Sequence, residues 1–220
     1  MLSGVDFDPP VERYWSVARA AGIVQALAAL GPDLVTVPNF SLPIDCPRED
    51  NLRAMKRIAI CCQELLQAGV PAALHVNART DHYWRRWADF IGGRGEIRSI
   101  AFEFGTGSRL AGRGAWHADQ LCRLRERVGR NLQLVIRGER FAPALARAYP
   151  DLVSVDTSIY VKTMKRFRLV RSGDGERAWL KTLSFIGQPL DRLFQENVNA
   201  ATGRQTLVVS ADAAPDALTV

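Results

Sequence analysis

Two carboxylates stand at the ends of apolar runs from which a protein core would exclude charge. Glu103 lies between two phenylalanines in IRSIAFEF, and Asp156 closes LVSVD. Burying an unpaired carboxylate is costly, so a strand that keeps one either supplies it with a partner or uses it. Two carboxylates on one face can divide acid and base roles, and Glu103 and Asp156 are the expected catalytic pair. Groups suited to holding an anionic substrate recur at similar positions. They are Asn39 in PNFSLPIDCP, Asn77 and Arg79 in NARTDHYW, Gly105 and Gly107 in FGTGSR, and Arg137 in RGER. Amides and guanidinium groups donate to phosphate or carboxylate oxygens, and a glycine turn can offer backbone N–H groups to the same charge. Local structural roles compete with this reading. Thr80 or Asp81 suits a helix N-cap, Asp156 with Ser158 does likewise, Arg137 can pair with Glu139, and Glu103 can face outward at a strand end.

What these positions share is the element before them. Five runs read as buried strands, at 34–37, 72–76, 97–104, 132–136 and 152–156, because each is short, rich in Val, Ile, Leu or Phe, and follows a turn signal. Helical periodicity fills the gaps. Residues 48–68 repeat Leu52, Met55, Ile58, Cys62 and Leu65 at spacings of three and four and stop at Gly69. Trp84, Trp87, Ala88 and Ile91 mark a second helix, residues 116–130 a third and 141–149 a short fourth, while residues 11–30 read as an initial helix ended by Gly31 and Pro32. Alternation of this kind implies an α/β fold with parallel strands. A TIM-barrel-like architecture, complete or incomplete, is expected, with an open doubly wound sheet as the alternative. The absence of G-x-G-x-x-G after any strand leans toward the barrel. Five strands are too few to close one, since an eight-stranded barrel takes about 250 residues. Either weaker strands near Phe7, at 180–186 or at 207–210 complete it, or the barrel is partial, as from a truncated gene. Residues 1–199 are expected to form a single domain and 200–220 a loosely ordered tail.

Composition narrows the partners without choosing one. The formal charge is +6 and the basic run KTMKRFRLVR contains no acid. Lys162, Lys165 and Arg166 within it are candidate nucleic-acid contacts, the competing role being a solvated helix face. The four cysteines, Cys46, Cys61, Cys62 and Cys122, form no C-x-x-C pair, so buried thiols are expected and no metal site. His75, inside a strand, is expected to be a core histidine. No nucleophile flanks His75, His82 or His117, which argues against a triad. No cofactor is identified. The amino terminus lacks a secretory signal and no segment is long and apolar enough for a membrane span, so a cytoplasmic protein is expected.

The segments VPNFSLPIDCPR and ALHVNARTDHYW, with the helix between them, resemble a domain-of-unknown-function family of phages, plasmids and integrated elements. The similarity continues through FEFGTG and LVIRG to about Leu169, and it implies a barrel-like α/β fold in a mobile-element setting. Asn39 stands where many relatives carry Asp. A more distant likeness, carried by SVDTS at 154–158, is to the tRNA-guanine transglycosylase type of barrel, in which a strand-end Asp attacks the sugar carbon. The cysteine-rich zinc segment and glycine-rich base pocket of that family are missing here.

Taken together, these features point to an enzyme acting on a nucleotide, a phosphorylated small molecule or nucleic acid at the carboxyl ends of the strands. The alternatives are a noncatalytic nucleic-acid-binding or accessory protein of a mobile element, and a truncated, inactive member of the family.

Overall fold

The computed structural model describes residues 1–43, 45–105, 112–171, 177–183, 187 and 189–202. They belong to two compact units, Met1–Val155 and a second that begins at Asp156.

The first unit is built on six strands, β1 (Leu2–Ser3), β2 (Val35–Thr36), β3 (Ala72–His75), β4 (Ser99–Glu103), β5 (Gln133–Arg137) and β6 (Leu152–Val155). All neighbours pair parallel, and their order across the sheet is their order in the chain. Each connection therefore advances the sheet in the same direction. Right-handed crossovers with no reversal place the helices on one face and leave no switch point, so the doubly wound alternative is not what forms. The sheet curls into a half-barrel that stays open. Alternation along the strands divides the two faces: Leu74, Ile100, Phe102, Leu134 and Ile136 join the large core under the helices, while Ala73, Ala101 and Val135 form a small cluster on the other face. Side chains converge on the inside of a curled sheet, and small residues there permit the curvature.

Six helices accompany these strands: α1 (Asp8–Arg13), α2 (Ile23–Leu30), α3 (Arg48–Gln67), α4 (Asp81–Gly92), α5 (Arg113–Val128) and α6 (Ala142–Leu145). Thr80 caps α4 by accepting from the Tyr83 N–H at 3.3 Å. Gly129, at φ 71°, ends α5 in the left-handed conformation that a side chain disfavours. Arg130 then donates one guanidinium nitrogen to the carbonyls of Ile91, Arg94 and Ile97 (2.8–3.1 Å), satisfying the backbone where α4 turns into β4.

Two expectations about the amino-terminal region change. The strand that precedes the helices is Leu2–Ser3, ahead of Phe7, and the expected initial helix is two helices separated by a π-helical turn at Tyr14–Ala18 and a left-handed Gly22 (φ 84°). Glycine at 22 breaks a hydrophobic period that otherwise reads as continuous.

The second unit contains α7 (Ser158–Met164), β7 (Phe167–Arg171), β8 (Arg177–Lys181) and α8 (Asp191–Thr202). β7 and β8 form an antiparallel pair, so Leu180 and Lys181 belong to this hairpin and not to the parallel sheet. Residues 184–186 of the strand expected at 180–186, the strand expected at 207–210 and most of the expected tail lie outside the described residues. Asn197 organises this unit. Fully buried, it accepts from the Leu169 N–H (2.7 Å) and donates to Thr163 Oγ1 and the Phe167 carbonyl (2.8 Å each), which spares all three a buried, unpaired polar group. No described helix is long and apolar enough to cross a membrane.

Candidate functional site

Parallel strands end on the same edge, and in a half-barrel those ends line a mouth. A cleft of about 510 Å³ opens there in the first unit. The segment after β1 brings Asp6 and Asp8, the one after β2 brings Asn39 and Ser41, and the one after β3 brings Asn77 and Arg79. β4 and β5 add Glu103, Gly105 and Arg137, and α5 closes one wall with His117.

Glu103 alternates along the strand with Phe102 and Phe104, whose rings meet edge to face at 4.8 Å, and Phe102 lines the cleft beside it. Its register partner on β5 is Arg137, whose Nη1 lies 3.1 Å from Oε1. Arg137 thus pairs across the sheet. The Glu103 side chain is 20% exposed, accessible enough to meet a ligand and enclosed enough for its partner to matter. Gly105 leaves room for this carboxylate: a Cβ there would come within 3.0 Å of Oε1 and 3.2 Å of Cγ and Cδ.

Asn77 and Arg79 have local work that the sequence does not disclose. The Asn77 amide nitrogen donates to Asn39 Oδ1 and to the Phe40 carbonyl, both at 3.0 Å, and Arg79 Nε donates to the Leu42 carbonyl at 2.6 Å. Together they pin the proline-rich loop after β2 against the end of β3. Asn77 is in turn held by Trp87, whose indole N–H donates to its carbonyl at 2.8 Å. Arg113 Nη2 donates to the Arg79 carbonyl at 2.7 Å, and burial, then the nearby Arg113 charge, lowers the pKa of Arg79.

Asp6 and Asp8 are the residues missed at the sequence level. Their position depends on Gly4, whose N–H donates to the Thr36 carbonyl at 2.9 Å and to its Oγ1 at 3.0 Å. A Cβ at Gly4 would stand 2.5 Å from that carbonyl oxygen and 2.8 Å from the Val37 carbon and Pro38 nitrogen, so β1 docks only through glycine. Ser41 donates to Asp8 Oδ1 at 2.7 Å and links the loops after β1 and β2. A D-x-D pair beside a turn was the available signal, but a two-residue strand has no periodicity to announce it.

His117 packs among Trp84, Phe102 and Trp116, with ring centroids 4.7–5.9 Å away. Burial, reinforced by Arg113 and Arg79, holds its pKa down to about 4, and burial alone takes His75 to about 3. Neither Nδ1 has a hydrogen-bond partner among the described residues, so His75 is a core residue as expected, with one ring nitrogen unmatched there. The unfolded chain binds protons near pH 6.5 that the folded chain refuses. Stability from these two groups is therefore complete above pH 6.5 and is lost as pH falls through about 4 for His117 and about 3 for His75, by at most about 1.4 kcal/mol per pH unit for each histidine. Urea denaturation at pH 7 and pH 5 should show this loss, and His117→Gln should reduce it; equal pH dependence in the variant would refute the assignment.

The other candidates lie elsewhere. Asp156 belongs to the second unit, and its Oδ1 accepts from the Ser158 N–H at 2.7 Å at the start of α7. Lys162 has its ammonium 4.9 Å from the Phe167 ring centroid and 5.9 Å from that of Trp179. Lys165 is exposed and its carbonyl accepts from Lys181 Nζ at 2.7 Å. Arg166 takes φ 61° and joins α7 to β7, so the basic run is half helix and half strand rather than one helix face. Gly107 lies outside the described residues. Cys61 and Cys62 are buried, with burial raising both thiols to about 12, which suits packing and not nucleophilic chemistry. Among the described residues, no group of three or more His, Cys, Asp or Glu is placed to hold a metal ion.

The cleft thus combines three carboxylates with two guanidinium groups and two amides. Such a set can bind an anionic or hydroxyl-rich ligand and exchange a proton with it. Comparison with protein-family models and with curated proteins returns no match.

Proposed function

We propose that this chain is an enzyme that acts on a nucleotide or another phosphorylated small molecule in the cleft at the carboxyl ends of β1–β5. One observation carries this reading: Asn39, Asn77, Arg79, Glu103, Gly105 and Arg137, drawn from four successive strand ends, line a single cleft. In this reading Glu103 exchanges the proton. Arg137 fixes its orientation, and Asp6 or Asp8, which line the cleft, supplies the second carboxylate in place of Asp156, which belongs to the second unit. Asn77 positions Asn39 and the loop that carries it. The resemblance to the phage and plasmid family adds a mobile-element setting. The test is turnover of a panel of nucleotides and sugar phosphates by wild type, Glu103→Gln and Asp8→Asn. Turnover by wild type that both variants lose supports the proposal; turnover that both retain in full refutes it.

A second reading is supported by the second unit. Tyr160, Met164 and Lys165 are exposed on or beside α7, next to a hairpin bearing Arg168, Arg171 and Arg177, a combination of aromatic and basic groups suited to single-stranded nucleic acid. Changing Lys162, Lys165 and Arg166 together to glutamine should weaken oligonucleotide binding and reduce the slope of log K against log salt by roughly 2. An unchanged slope in a salt titration would remove this reading.

A further inference from the structure

A second cleft, of about 560 Å³, adjoins the first and shares Arg79 with it. Its walls come from the starts of α3, α4 and α5, which contribute Arg48, Thr80 with His82, and Arg113. Three guanidinium groups line this space, and among the described residues no carboxylate does. Their hydrogen bonds are to neutral acceptors. Arg48 Nη2 meets His82 Nε2 at 3.0 Å, Arg79 Nε donates to the Leu42 carbonyl, and Arg113 Nη2 donates to the Arg79 carbonyl. None of the three forms an ion pair among the described residues, whereas Arg19, Arg57, Arg123, Arg137 and Arg168 each meet a carboxylate. Arg113 also lies over the Trp116 ring, 4.4 Å from its centroid, which limits the directions its remaining N–H groups can take.

Like charges gathered without counter-charge repel one another, and the arrangement is relieved when an oxyanion enters. We infer that this second cleft is the phosphate subsite of the enzyme proposed above. The phosphate, a mono- or diphosphate group of a small substrate, is held by Arg48, Arg79 and Arg113, with the Thr80 hydroxyl and His82 at its edge. The rest of the substrate passes Arg79 and presents its reacting group to Glu103. This rests on the proposed function for its second half only; the anion subsite stands or falls on its own measurement. A sugar or base without phosphate leaves the three arginines unmatched, so phosphorylated compounds are the substrate class and their dephosphorylated forms are rejected.

The measurement is calorimetric titration with pyrophosphate and with ADP. Wild type is expected to bind both, and Arg48→Gln and Arg113→Gln are each expected to weaken binding about tenfold or more. Arg48 is exposed on the first residue of α3, so its loss leaves the fold intact even if Arg113→Gln proves unstable. Arg123→Gln, which removes a charge paired with Asp119 on α5 away from both clefts, should change nothing. Failure of wild type to bind pyrophosphate at millimolar concentration, or equal binding by the Arg48 and Arg123 variants, overturns the subsite. Glu103→Gln separates the two claims. Pyrophosphate binding that depends on Arg48 together with full turnover by Glu103→Gln keeps the subsite and rejects the catalytic reading. The reverse pattern rejects the subsite alone. An oligonucleotide that binds more tightly than ADP, with the same dependence on Arg48, overturns the small-substrate assignment.

Discussion

Glu103→Gln is expected to lower turnover by about 10²- to 10⁴-fold, the range over which a positioned general acid or base contributes. The substitution keeps the shape of the side chain and an oxygen that can accept from Arg137 Nη1, now 3.1 Å from Oε1. What it removes is the charge and the exchangeable proton. Folding stability should change little, because the side chain is partly exposed and an exposed or half-exposed ion pair contributes only about 0–1 kcal/mol. KM should move much less than kcat, since the guanidinium and amide groups that hold the ligand remain. A large rise in KM with kcat intact would make Glu103 a ligand contact rather than the proton-transfer group.

Gly4→Ala is expected to combine a loss of stability with a loss of activity at a residue outside the cleft. The new methyl group would meet backbone atoms of Thr36, Val37 and Pro38 at 2.5–2.8 Å, and backbone in a paired strand cannot step aside as a flexible side chain would. Overpacking of this kind costs about 1–3 kcal/mol. The sheet can avoid it only by releasing β1, and release carries Asp6 and Asp8 away from the cleft. Urea denaturation and turnover should therefore fall together, while pyrophosphate binding at Arg48 and Arg113 survives. A variant as stable and as active as wild type would show that the β1 segment does not position the site.

Much of the site was legible because strand alternation is a strong local signal. Glu103 interrupts an apolar run, and parity alone assigns it to the face opposite Phe102 and Phe104. Asn77, Arg79 and Arg137 follow from the same reasoning, since each stands at the end of a recognisable strand. Less legible was what these residues do locally. That Asn77 and Arg79 pin the loop after β2 depends on contacts 37 or 38 residues distant in the chain, which no short-range pattern encodes. Gly105, read as a donor of backbone N–H groups, has a spatial reason as well, the room it leaves for the Glu103 carboxylate.

The amino-terminal strand was hidden by its length. Two residues carry no period, and their pairing with β2 is decided by the close approach at Gly4. A strand was expected near Phe7, but no periodicity in the sequence singles out Asp6 and Asp8 beside it, because their place depends on how β1 docks. The basic run failed differently. Its composition is continuous, whereas its backbone changes from helix to strand at Arg166, where φ is positive without a glycine to signal it. Asp156 satisfied both a catalytic and a capping pattern, and its contact with the Ser158 N–H accounts for the second.

The phosphate subsite illustrates the same limit. Arg48, Arg79 and Arg113 come from three separate helix starts, and only the assembled half-barrel brings their charges to one space. Their basicity is ordinary in a chain with 29 lysines and arginines. What distinguishes them is that they line one cleft together, with no carboxylate beside them among the described residues.

The most direct test of the account is a titration of isotopically labelled protein with ADP, followed by the shifts of its backbone and side-chain amide signals. The largest changes are expected at Asn39, Asn77, Glu103, Arg137 and the starts of α3, α4 and α5, with the signals of α8 unmoved. Changes confined to residues 162–171, or none at saturating ADP, would contradict it.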